Sequence, residues 1–258
     1  MNRRELIAAL TVAPAFGRAK ALAAGNVADT FPMQDRAMVQ EMVVVSHFNA
    51  RRVRELVDAH PALARAAMDW GFGDWEDALG AASHVGNREI ADYLLSHGAR
   101  PTIFSAAMLG QLDVVKAFVT VNPGAQRIAG PHSIHLLAHA KAGGAAAKPV
   151  YDYLLGLGDA NGPAVEPISD DEKAALAGTY TFGSGAADRV VITVDKGALM
   201  FNRPGMPYAR GLLHLGRREF FPMGASAVRI TFDAGPRPAT VTVRDGDVVV
   251  VMSRYADR

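Results

Sequence analysis

The stretch Gly130-Pro131-His132-Ser133-Ile134-His135-Leu136-Leu137-Ala138-His139 carries three of the chain's eight histidines. On a helix, the spacing i, i+3 and i+7 sets the imidazoles along one side, close enough to share hydrogen bonds or a metal ion. Zinc or copper is the cofactor such a set would take. The competing reading has no cofactor, with each ring a satisfied structural group. No carboxylate or thiolate stands beside His132, His135 and His139 in the sequence to complete a ligand motif. His84, in Ser83-His84-Val85-Gly86, could line the same concave side, with Gln111 and Asp113 between.

Both tryptophans fall in Trp70-Gly71-Phe72-Gly73-Asp74-Trp75. Aromatic side chains on a glycine-bearing loop offer a hydrophobic anchor or a ligand wall, so Trp70, Phe72 and Trp75 head the expected contact surface. The alternative packs one or both rings over the end of neighbouring helices. Several chemistries are excluded. The absence of cysteine removes disulfides, thiolate metal sites and a cysteine nucleophile. Ser46-His47 and Ser133 lack the Gly-x-Ser-x-Gly turn that would expose a nucleophile. In Gly143-Gly144-Ala145-Ala146-Ala147-Lys148-Pro149 a proline stands where a magnesium-binding hydroxyl should, so no phosphate loop is present. No His-Glu-x-x-His or dinucleotide fingerprint occurs. With 27 basic and 26 acidic residues the chain offers no field to a polyanion, and nucleic acid is not an expected partner.

These groups need a scaffold, and 258 residues that are 50% apolar are enough for one or two domains. Residues 35–162 read as helices. Within them Gly86-Asn87-Arg88-Glu89-Ile90-Ala91-Asp92-Tyr93-Leu94-Leu95 parallels Gly110-Gln111-Leu112-Asp113-Val114-Val115-Lys116-Ala117-Phe118-Val119, and small residues precede each glycine. Asp77-Ala78-Leu79-Gly80, Ala82-Ser83, Gly86, Leu94-Leu95 and Gly98-Ala99 follow the order of an ankyrin repeat. Pro101-Thr102-Ile103-Phe104 to Asn122-Pro123-Gly124-Ala125 follows it again. Leu136 to Gly158-Asp159-Ala160-Asn161 is a degenerate copy, with His139 in place of a core alanine. Residues 40–161 thus resemble the ankyrin repeat family, which implies about four stacked units and a protein or peptide partner on their concave side.

After Pro163 and Pro167, eight short apolar runs from Gly178 to Ser253 are separated by turns such as Asp195-Lys196-Gly197. They predict an antiparallel meander, closed or nearly so, over residues 174–258. Leu176-Ala177-Gly178-Thr179-Tyr180, Val190-x-Ile192-x-Val194 and Val228-x-Ile230-x-Phe232 resemble the lipocalin-like barrel appended to serine β-lactamase-related proteins. The catalytic domain of those proteins has no counterpart here.

Arg3-Arg4-Glu5-Leu6-Ile7, the apolar run to Phe16 and Ala21-Leu22-Ala23 resemble a twin-arginine export signal over residues 1–23. Its removal takes four basic residues and one acidic one and turns the formal charge from +1 to −2. The alternative is an exposed first helix of a cytoplasmic protein. No run reaches the ~18 apolar residues of a membrane span. The expectation is an α+β multidomain protein: an ankyrin-like helical stack followed by a small antiparallel barrel, exported to the periplasm, binding a protein or peptide. Two alternatives stand beside it. One is an enzyme or metal-binding protein using the histidine-bearing face. The other is a small-molecule carrier, which requires a continuous apolar cavity of at least about 300 Å³ in the barrel.

Overall fold

The computed structural model describes residues 30–162, 164–206 and 208–255; the expected signal, residues 1–23, lies outside the described residues. Contacts divide the chain at Arg36, so that residues 37–258, helical segment and barrel together, make one unit.

Helices α1 (Arg36–Val45) and α2 (Ala50–Ala59) are joined by a short turn in which the Asn49 side chain accepts from the Arg52 N–H and caps α2. Pro61 ends that helix and starts a 3-10 turn, Pro61–Arg65. A two-stranded antiparallel hairpin follows, β1 (Ala67–Asp69) and β2 (Trp75–Asp77), with Asp69 opposite Trp75. Three helix pairs come next: α3 (Ala78–His84) with α4 (Arg88–Ser96), α5 (Ile103–Leu109) with α6 (Leu112–Val121), and α7 (Leu136–Ala142) with α8 (Lys148–Leu157). Side chains of Asp77, Asn87 and Thr102 cap α3, α4 and α5. The short helices α3, α5 and α7 pack on one another through Ala81, Ala82, Ala106, Ala107 and Ala140, all buried. Their small faces let the backbones come close. Gly86 and Gly110, at φ +75° and +80°, show how close: a Cβ would strike the carbonyl of Ala142 at the first and of Ala146 at the second. The glycine repeat in the sequence therefore marks left-handed turns pressed against a neighbouring unit.

Helix α9 (Asp170–Leu176), capped by Ser169 and acidic in its first turn, leads into the barrel. Its strands are β3 (Gly178–Thr181), β4 (Arg189–Asp195), β5 (Ala198–Asn202), β6 (Arg210–Gly216), β7 (Glu219–Pro222), β8 (Arg229–Phe232), β9 (Thr240–Asp245) and β10 (Val248–Arg254). They pair antiparallel in the order β10-β3-β4-β5-β6-β7-β8-β9 and close on themselves, as the evenly spaced runs predict. Alternate residues such as Val190, Ile192, Leu199, Phe201, Val241 and Val243 point inward. The closing pair β10–β3 is short, and Arg254 reinforces it by donating to the Ala177 carbonyl and to the Tyr180 hydroxyl. A cavity of about 350 Å³ opens among Phe182, Phe201, Met206, Val243 and Val248, and Phe72 from the β1–β2 hairpin enters it to meet Phe201. Among the described residues, no helix is long and apolar enough to cross a membrane.

Candidate metal centre

Alternation along the β1–β2 hairpin decides which side chains turn inward. Gly71, Phe72 and Gly73 all take positive φ, which folds the chain back so that the Trp70 N–H donates to the Asp74 carbonyl. Asp74 and Glu76 then face the interior, and Trp75 between them is 64% exposed. Asp77 leaves the strand to cap α3, and that helix delivers His84 at its last turn. His47 arrives from the α1–α2 turn. His132 lies in the 3-10 turn Pro131–Ser133.

One ligand atom from each of His47, Glu76, His84 and His132 lies within 4.8 Å of all the others. Around Glu76 the separations are 3.1 Å from Oε1 to His84 Nδ1, 3.3 Å from Oε2 to His132 Nε2 and 3.6 Å from Oε2 to His47 Nε2. The edge of a tetrahedron of ligands about 2.0–2.1 Å from zinc is about 3.3 Å.

Second contacts fix each group. The Nδ1 of His47 lies 3.0 Å from the Val44 carbonyl, which can only accept. That nitrogen therefore carries hydrogen, and in the neutral ring Nε2 faces Glu76 with its lone pair. Burial lowers the pKa of His47 and keeps it neutral against the pull of Glu76. His132 donates from Nδ1 to Asp74 Oδ2 at 2.8 Å, the carboxylate–histidine arrangement that orients metal-bound imidazoles. Burial disfavours its charged form, but Asp74 and Glu76 outweigh that and raise its pKa to about 9. Burial likewise opposes ionisation of Glu76, whose pKa is nevertheless drawn down to about 2 by His132 and His84. The indole N–H of Trp70 donates to Glu76 Oε2 at 2.8 Å. Oε1 of Glu76 and Nδ1 of His84 face each other at 3.1 Å as an ion pair, and neither has a well-aligned hydrogen-bond partner among the described residues.

The centre gathers His84 and His132 from the residues singled out in the sequence and leaves the others elsewhere. Helix α7 begins only at Leu136, because His132 and Ser133 take left-handed φ of 59° and 58°, so His132, His135 and His139 do not share a helix side. His135 precedes α7 and packs against Gly162. His139 is buried, donates from Nδ1 to the His135 carbonyl and is held neutral by burial, its pKa lowered to about 4. Trp70 is turned inward and Phe72 is spent on the barrel, whereas Gln111 and Asp113 are exposed at the start of α6. Sequence reasoning missed His47 and Glu76. The signal available for Glu76 was a pair of carboxylates two residues apart beside two tryptophans, the pattern of an acidic strand face. No family model matches the chain, and no curated protein matches it.

Proposed function

We propose that this protein binds one divalent transition-metal ion, zinc being the best fit, through His47, Glu76, His84 and His132. The observation that carries the reading is that one ligand atom from each of these four side chains lies within 4.8 Å of the other three. Three imidazole nitrogens and a carboxylate oxygen suit zinc better than magnesium or calcium. Four protein ligands fill a tetrahedron, the pattern of a closed structural site. The ion would fasten the α1–α2 turn, the β1–β2 hairpin, the end of α3 and the His132 turn to one another. The test is metal analysis of purified full-length protein together with calorimetric zinc titration. One equivalent bound, lost in His84→Ala and in Glu76→Gln, is the expected result. Less than about a tenth of an equivalent, with no rise in melting temperature under saturating zinc, overturns the reading.

The helix pairs and their glycine turns support an ankyrin-like assignment for residues 40–161. Export by a twin-arginine route belongs to the same proposal and is tested by N-terminal sequencing for cleavage after Ala23. A second reading, an apolar small molecule held by the barrel, is favoured by the cavity of about 350 Å³ beside Phe72 and Phe201. Quenching of tryptophan emission by an apolar fluorophore, abolished in Phe201→Arg, would support it, and no binding by the wild type would dismiss it.

A further inference from the structure

We infer that the barrel sets the metal affinity of the centre, with Arg210 on β6 and the Gly224 turn after β7 acting as positioning groups for the ligand His132. This inference deepens the metal-binding reading and rests on it.

Asp74 links the two. Its Oδ1 accepts from the His132 backbone N–H at 3.0 Å and its Oδ2 from His132 Nδ1 at 2.8 Å, so one carboxylate fixes both the main chain and the ring of the ligand. Arg210 donates through Nη2 to the same Oδ2, and also to the Met223 carbonyl. Its side chain is 6% exposed. Charge-assisted contacts of this kind are strong where water is excluded. Gly224, at φ +85°, lies so close that a Cβ would collide with the carboxyl group of Asp74. Its N–H donates to Ser133 Oγ at 2.8 Å.

His132 and Ser133 are consecutive left-handed residues, and neither is glycine or asparagine. Such backbone persists only where surrounding contacts over-determine it. Here they come from the turn bond of Ile134 N–H to the Pro131 carbonyl, from Asp74 and from the barrel. The position of one metal ligand is therefore set by residues 78 and 92 places further along the chain. Linkage makes the relation mutual: whatever factor the barrel contacts add to metal affinity, metal must return to those contacts.

The experiment is a cobalt(II) titration followed by visible absorption, with wild type, Arg210→Met, Arg210→Lys and Gly224→Ala. It is paired with hydrogen exchange of residues 210–224 with and without zinc. Wild type should give the intense spectrum of tetrahedral cobalt. Arg210→Met should weaken binding about 10- to 100-fold, the usual effect of removing an outer-shell partner, and Arg210→Lys should recover part of it. Zinc should slow exchange across residues 210–224 in wild type and lose that effect in Arg210→Met. Should Arg210→Met fail to fold, Arg210→Lys and the wild-type exchange comparison decide. Equal cobalt affinity in wild type and the Arg210 variants, or barrel exchange unmoved by zinc, overturns the inference and leaves metal binding standing. Failure of the wild type to bind cobalt or zinc overturns the metal-binding reading and this inference with it.

Discussion

Raising the pH of the metal-free protein should cost it stability through one residue, His132. In the folded chain its pKa stands at about 9, against an ordinary 6.5, because Asp74 and Glu76 hold its proton more strongly than burial expels it. Below pH 6.5 both folded and unfolded chains carry the proton, and the stabilisation is present in full. Between 6.5 and about 9 only the folded chain carries it, so the stabilisation declines as pH rises and is gone above 9. At about 1.4 kcal/mol per tenfold change in proton affinity, the whole window is worth about 3 kcal/mol. The His132 side chain is only 14% exposed, so solvent screening removes little of this. Glu76 shares the same interaction and adds no separate amount. For a unit of this size about 3 kcal/mol corresponds to a fall in melting temperature of about 6–12 °C. The assay is thermal and urea unfolding from pH 6 to 10 in the presence of a chelator, with His132→Asn as the control that can still donate to Asp74. A flat profile between pH 6.5 and 9 in the wild type, or the same decline in His132→Asn, refutes the reasoning.

The same proton should reappear when metal binds. At pH 7 zinc displaces it from His132, whereas His47 is already neutral, so calorimetry in buffers of differing ionisation enthalpy should count about one proton released; a count near zero contradicts this. Trp70→Phe keeps an aromatic ring but removes the donor to Glu76 Oε2 and should lower stability by about 1.5–3 kcal/mol in urea unfolding. His139→Leu removes a buried ring whose Nε2 has no partner among the described residues, so stability should stay level or rise by about 1 kcal/mol, with zinc stoichiometry unchanged. Gly86→Ala, which drives a Cβ into the Ala142 carbonyl from a left-handed backbone, should cost about 2–3 kcal/mol or more by thermal unfolding.

The architecture was legible because its signals are local. Strand periodicity and turn chemistry between Gly178 and Arg254 place all eight barrel strands to within a few residues, and the glycine repeat places α3 to α6. The centre was legible only in part, because its side chains come from four segments that no local rule connects. His132 stood out by its helical spacing with His135 and His139, and His84 as a histidine on the same concave side. His47 and Glu76 join the centre through tertiary packing, the first by donating to a helix-end carbonyl and the second by strand alternation in a hairpin three residues to a side. The misleading signal was helical: His132, His135 and His139 fit one helix face only if the helix runs through Pro131 and Ser133, and the left-handed pair forbids that.

Three local irregularities converge on the centre, and each is explained only by the others. The Gly71-Phe72-Gly73 turn is left-handed throughout, which spends Phe72 on the barrel cavity and turns Asp74 and Glu76 inward. Two buried carboxylates would be unfavourable without partners. Arg210 answers Asp74, and Trp70, His47, His84 and His132 surround Glu76. His132 can face both carboxylates only from a left-handed backbone, and the barrel turn at Gly224 anchors that backbone through Ser133. A packed helical core requires none of these features; apolar residues at positions 74, 76 and 132 would hold the hairpin to α3 with less strain. Strained backbone and buried charge gathered at one point are what the proposed metal site accounts for, and removing the metal-binding premise leaves them without a reason.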